Sequence, residues 1–152
     1  MTRFLKYLTI GWAVVFMAAP IGPVKAGFDQ GLAAYARGDV PTALRELLPA
    51  ARADDARAQY LLAQIYESAR ELPKDRANAV LWYRRAAING IVAAMRRLGS
   101  IYRNGQGAEI DTVQAYAWYD LASSRLGPHR LSFGHIRDDI AAKLPPLDLA
   151  HA

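Results

Sequence analysis

The chain has 152 residues, of which 53% are hydrophobic and 22% charged, and it contains no cysteine. Those proportions describe one globular domain with enough apolar side chain for a core. The missing cysteines exclude a disulfide framework, a thiolate metal site, a cysteine nucleophile and a lipid-modified cysteine anchor. The formal charge of +5 overstates the basicity of the folded part: residues 1–26 hold Arg3, Lys6 and Lys25 and no acid, so the remainder carries +2. A mixed-sign surface of that kind is not the basic stripe that nucleic-acid binding requires, and no nucleic-acid partner is expected.

In chain order, the first element is an export signal. Arg3 and Lys6 precede an apolar run from Tyr7 to about Ile21, which Pro20, Gly22 and Pro23 break before it reaches membrane-spanning length. Val24-Lys25-Ala26 then offers small residues where a signal peptidase reads, placing cleavage after Ala26. The expected mature chain is periplasmic or secreted, with no membrane contact after cleavage. Retention of the segment as an anchor, making a membrane-tethered assembly factor, is the alternative.

From there to the C-terminus every expected element is a helix. Gly31, Gly38-Asp39-Val40, Ala43, Leu47 and Ala50 outline a short hairpin in 27–54, with helices near 28–37 and 41–52 and a turn about five residues shorter than in the units that follow. Pro49 lacks an amide hydrogen, so the last turn of the second helix should kink or fray. An offset of 36 residues aligns Ala58 with Ala94, Leu62 with Leu98, Ala63 with Gly99 and Tyr66 with Tyr102. It continues through Asp75 with Asp111, Trp82 with Trp118, Tyr83 with Tyr119 and Ala86 with Ala122. A fixed period of this length marks a solenoid, with repeats at 55–90 and 91–127.

Each repeat reads as two helices from its 3.6-residue spacing. Asp111 is the expected N-cap of a second helix, with Gln114 as its capping-box partner, and Gly90 and Gly127 are placed to end helices. Small residues at 63, 99, 86 and 122 let one helix approach the next, so Trp82 and Trp118 are expected to fill the core. Ala86→Leu should overpack that contact at a cost of about 1–3 kcal/mol. Phe133, Ile136, Ile140 and Leu144 form one apolar seam on a closing helix within 128–152.

The run from Leu98-Gly99 through Tyr102, Gly105, Gly107, Asp111, Ala115 and Trp118-Tyr119 to Ala122 resembles the Sel-one-like repeat. The unit at 55–90 is similar through Leu62, Tyr66, Asp75, Ala79, Trp82-Tyr83 and Gly90, although Ala69 and Glu71 stand where glycines are usual, so that its loop is expected to be straighter. The first hairpin resembles the ordinary tetratricopeptide version. The resemblance implies an all-α, right-handed α-solenoid of antiparallel helix pairs with a C-terminal capping helix. It also implies a scaffold, adaptor or regulator of the bacterial cell envelope that binds another protein and is not an enzyme.

By the same resemblance, Tyr60, Leu61, Gln64 and Glu67 on one first helix, and Arg96, Arg97, Ser100, Arg103 and Asn104 on the next, turn towards a concave groove. Arg96, Arg97 and Arg103 could there pair bidentately with an acidic peptide. A merely solvated basic face is the competing reading. So few repeats make a small platform, which leaves room for association with a partner or a second copy.

Catalytic groupings are absent from the pattern. Gly105-x-Gly107 follows a helix, not a strand, and lacks the rest of a phosphate loop. His129, His135 and His151 have no metal-ligand spacing, and no cofactor or metal is expected. Ser68, Ser100, Ser123, Ser124 and Ser132 form no nucleophile elbow. Asp54-Asp55 and Asp138-Asp139 read as solvated or capping carboxylates. An envelope hydrolase acting on peptidoglycan or a β-lactam is the rival from a different class.

Overall fold

A computed structural model describes residues 24–68, 75–126 and 131–145. The expected signal segment up to residue 23, residues 69–74, Gly127, His129 and His151 lie outside the described residues. Among the described residues there are seven helices and no strand: α1 (Val24–Ala36), α2 (Val40–Arg52), α3 (Ala56–Ser68), α4 (Arg76–Ile88), α5 (Val92–Asn104), α6 (Thr112–Arg125) and α7 (Leu131–Ala141). The chain is an all-α helical-repeat solenoid, each helix packing on its neighbours in sequence. α1 begins at Val24, so the expected processing point after Ala26 falls in its first turn.

Local chemistry sets the boundaries. Asp39, Asp75 and Asp111 each stand one residue ahead of an even-numbered helix and accept a hydrogen bond from the third residue on, Thr42 N at 3.1 Å, Asn78 N at 2.9 Å and Gln114 N at 2.9 Å. Each bond satisfies an amide that has no partner within its own helix. Asp55 does the same for α3, accepting from Arg57 N at 2.9 Å and Ala58 N at 3.1 Å. Gly105 closes α5 at φ 69°, a left-handed conformation that a side chain would resist. Two residues later Gly107 lies against α4, where an added Cβ would stand 2.6 Å from that of Arg76. The loop is thereby packed on the preceding repeat, and Asp111 N donates to Tyr102 O at 2.9 Å as Asp75 N does to Tyr66 O at 3.1 Å.

Two details of the first hairpin differ from expectation. Its turn comprises residues 37–39 against 105–111 in the last repeat, a difference of four residues. Pro49 does not fray α2, which runs on to Arg52: it faces solvent, and Ala53 N donates to Pro49 O at 3.0 Å, so the last turn stays hydrogen-bonded beyond the missing amide.

The core runs the length of the stack through Leu47, Leu62, Ile65, Tyr83, Met95, Leu98 and Ile101. Small residues on the odd helices admit large ones from the even helices. A Cβ on Gly31 would meet Leu47 Cγ at 2.5 Å, and one on Gly99 would meet Tyr119 Cδ2 at 2.8 Å. Ile140 of α7 is buried and Ile136 and Leu144 pack beside it, so α7 covers the end of the last hairpin; Phe133's side chain lies outside the described residues. Arg137 ties the cap to α6 through Asp120 at 3.3 Å. Trp82 is buried, but Trp118 is only half-buried, contrary to its expected place in the core. Trp82 has a further helix pair after it; beyond α6 a single helix remains, and Trp118 borders an open cleft of about 380 Å³ with Gln114, Leu121 and Ser124.

Candidate functional site

The odd helices supply the residues expected to face the groove. On α3, Tyr60, Gln64 and Glu67 are half-buried; on α5, Arg97 and Ser100 are half-buried and Arg96, Arg103 and Asn104 exposed. Leu61 is a correction: at 7% exposure it belongs to the core and cannot line a groove. Its apolar side chain takes the buried side of α3, whereas Arg97, 36 residues later, keeps its polar head at the wall.

Glu67 links the two helices. Arg97 Nε donates to Glu67 Oε1 at 2.9 Å and Oε2 at 3.1 Å, and Arg97 Nη2 also reaches Oε1. Tyr83 Oη donates to Glu67 Oε2 at 2.9 Å, and its ring centroid lies 5.7 Å from that of Tyr60. The hydrogen bonds that Arg97 donates to Glu67 hold its guanidinium above its ordinary pKa, against the effect of burial. Burial, reinforced by Glu67, pushes the Tyr83 hydroxyl well up. The carboxylate therefore neutralises one of three arginines on this face, so they do not act together as an unpaired cationic cluster. Arg97 Nη1 and Asn104 Nδ2 also approach Ser100 Oγ, at 3.5 and 3.3 Å. Arg103 acts at longer range, its charge helping Lys143 to lower the pKa of Asp139 on α7.

A second polar cluster stiffens the junction between hairpins. Gln59 is fully buried; its Nε2 donates to Ala51 O at 3.0 Å and Asp54 Oδ1 at 3.1 Å, and its Oε1 accepts from Asn89 Nδ2 at 2.9 Å. Asp54 holds a positive φ of 63° there. On the other side, Arg84 donates to the Tyr102 hydroxyl. Sequence reasoning missed these pairs. The one available signal was Gln59, a polar residue between apolar Ala58 and core positions of α3.

Two of the serines direct their hydroxyls back into their own helices. Ser123 and Ser68 direct their hydroxyls to helix carbonyls, Tyr119 O at 2.9 Å and Gln64 O at 2.6 Å. His135 is exposed on α7. Among the described residues no group of three or more His, Asp or Glu is placed to hold a metal ion, and no helix is long and apolar enough to cross a membrane.

Stacked helix hairpins with an accessible, internally braced wall define a helical-repeat interaction scaffold. Residues 56–91 and 92–125 each match the Sel1 repeat family model. A Sel1 repeat protein from Oxalobacter formigenes superposes with a TM-score of 0.62 and 32% identity, covering 72% of this chain and 85% of that one. A protective antigen of uropathogenic Escherichia coli displaying an SLR fold gives a TM-score of 0.72 and 30% identity over 85% of this chain. An uncharacterized protein of Neisseria meningitidis serogroup B is 38% identical over 81 residues, 53% of this chain. The chain belongs to the Sel1 repeat family. It spans 28% of the Escherichia coli structure and 17% of the Neisseria protein. Repeats of this fold generally mediate protein–protein interaction, and the family is generally a non-catalytic scaffold.

The family match begins at residue 56, yet α1–α2 repeats the same packing. Leu47, Tyr83 and Tyr119 fall at intervals of 36, and Gly31 receives Leu47 as Gly99 receives Tyr119.

Proposed function

We propose that this chain is an exported adaptor or regulator of the bacterial cell envelope, which grips part of another polypeptide along the wall made by α1, α3 and α5. The carrying observation is the braced inner face: Tyr60, Gln64, Ser100, Arg103 and Asn104 stand on two helices that Glu67 and Arg97 lock together. Preorganised side chains lose little entropy on binding, which is what a recognition surface needs. Export rests on the cationic start, the short apolar run and the Val24-Lys25-Ala26 processing site.

The test is site-specific photo-crosslinking in the source bacterium, with a benzophenone amino acid at Gln64, at Ser100 or at Leu81 on the outward face of α4. The expected result is a discrete protein adduct from the first two positions and none from Leu81. Adducts of equal yield at all three, or none at all, would refute the inner-wall reading. Mass spectrometry of the mature protein should find an N-terminus at Gly27; an intact Met1 start would overturn export with cleavage.

A further inference from the structure

The small residues Gly31, Ala63 and Gly99 provide a common origin on α1, α3 and α5: Gly31 faces Leu47 and Gly99 faces Tyr119 of the following helix, and Ala63 and Tyr83 stand 36 residues before Gly99 and Tyr119. Counting three residues back, one forward and four forward from that origin picks out one helical face. On α1 this face holds Phe28, Leu32 and Tyr35. On α3 it holds Tyr60, Gln64 and Glu67. On α5 it holds Arg96, Ser100 and Arg103. The nine positions are all half-buried or exposed.

The face thus changes character from one helix to the next. The α1 end is apolar and aromatic: Leu32 is 43% exposed, and Phe28 is held under the Arg57 guanidinium, 4.3 Å from its ring centroid. In the middle, Glu67 is engaged by Arg97 and Tyr83, so the wall there is polar and internally satisfied. The α5 end presents two guanidinium groups beside the Asn104 amide. The guanidinium at the α1 end, that of Arg57, is paired with Asp55 at 3.4 Å, so exposed apolar surface gathers at the α1 end and the exposed arginines of the face itself at the α5 end.

We infer that the segment bound on this wall is an extended peptide that is bipartite, with an apolar or aromatic group at one end and carboxylates at the other. This rests on the protein-binding reading above and deepens it. Directly packed helices lie about 10 Å apart, and α1, α3 and α5 pack mainly through the even helices between them, so α1 and α5 are separated by at least about 20 Å. Extended chain covers about 3.3 Å per residue, which sets the two groups at least about six residues apart. At one end Leu32, beside Phe28, buries the apolar group; at the other Arg103 receives a carboxylate in the forked geometry that guanidinium favours.

The experiment uses fluorescence anisotropy with the full chain and fluorescein-labelled synthetic peptides. One peptide carries Phe-Leu and Asp-Glu six residues apart on a Gly/Ser spacer. A compact version has the two pairs adjacent, and a third has serines in place of the acids. The spaced peptide should bind about tenfold more tightly than either, the difference that one charge-assisted hydrogen bond makes to affinity. Arg103→Ser should weaken the spaced peptide by about the same factor and leave the acid-free one unchanged. Leu32→Ser should weaken both, with circular dichroism showing an intact fold for each variant.

Equal affinities for the spaced and compact peptides, or an Arg103→Ser effect that ignores the peptide's acids, would overturn the bipartite reading. So would a dimer in sedimentation equilibrium that Leu32→Ser dissociates and the spaced peptide fails to displace, since a second copy would then occupy the wall. If crosslinks form at Gln64 and Ser100 while the spaced peptide has no advantage, this inference falls and the protein-binding reading stands. If crosslinks fail as well, both fall.

Discussion

Replacing Gly99 by alanine tests the packing that sets the repeat spacing. In an exposed helix interior this substitution stabilises by about 1 kcal/mol, because alanine restricts the unfolded chain and favours the helix. At Gly99 the new Cβ would stand 2.8 Å from both Cδ2 and Cε2 of Tyr119. That is about 0.7 Å inside ordinary carbon–carbon contact. Tyr119 is only 5% exposed, so the ring has no free space to retreat into. Overpacking of this kind costs about 1–3 kcal/mol, leaving a net loss of about 1 kcal/mol. The preceding repeat carries Ala63 at the matching place, but there Tyr83 is drawn by its hydroxyl to Glu67; Tyr119 has Arg103 at that position and rests over the bare glycine. Gly134 on α7 is the control, with nothing within 4 Å of an added Cβ. Gly134→Ala should stabilise by about 0.5–1 kcal/mol. At roughly 3–5 °C per kcal/mol for a chain of this size, the two variants should differ in Tm by about 5–10 °C with opposite signs. Differential scanning calorimetry of the pair reads this directly. If Gly99→Ala raises Tm as Gly134→Ala does, the close approach does not govern the stack.

Three further outcomes follow from the same contacts. Gln59→Leu should cost about 1–3 kcal/mol in urea unfolding, because it removes a buried amide that ties Ala51 O and Asp54 to Asn89 and leaves the Asn89 amide without this acceptor; an unchanged midpoint would show that the junction does not depend on this amide. Hydrogen bonds from Thr42 and Asn78 lower the Asp39 and Asp75 carboxyls below 3.8, so their contribution is complete above that value and is lost as pH falls through the folded pKa. Tm should therefore drop on the acid side, and Asp75→Asn should flatten that drop. Tyr83 behaves oppositely: burial raises its hydroxyl above the ordinary 10.0, so its contribution is complete below pH 10 and erodes above it as the unfolded chain ionises first. Alkaline spectrophotometric titration of wild type and Tyr83→Phe should differ by one tyrosine that ionises only with unfolding.

How much of the structure is legible in the sequence depends on distance along the chain. The aspartate caps and the helix pairs rest on residues within a few positions of one another, where backbone geometry translates spacing directly into structure, and the period of 36 is legible because the same local pattern recurs. Pro49 departs from its local reading even at that range: α2 continues past it to Arg52, with Pro49 on the exposed side of the helix. The wall residues are legible as a face, but the same pattern places Leu61 there wrongly: one position of helical phase separates core from groove, and Leu61, beside half-buried Tyr60, falls on the buried side.

The sequence by itself determined that this is a solenoid of helix hairpins, where each helix starts and which small residues let the helices meet. Tertiary structure decided the rest: that Glu67 claims Arg97 across 30 residues, that Trp118 stays half open, and that the wall runs from apolar to cationic. Those outcomes depend on how hairpins stack, and stacking is fixed by the summed packing of many side chains, which no local pattern encodes.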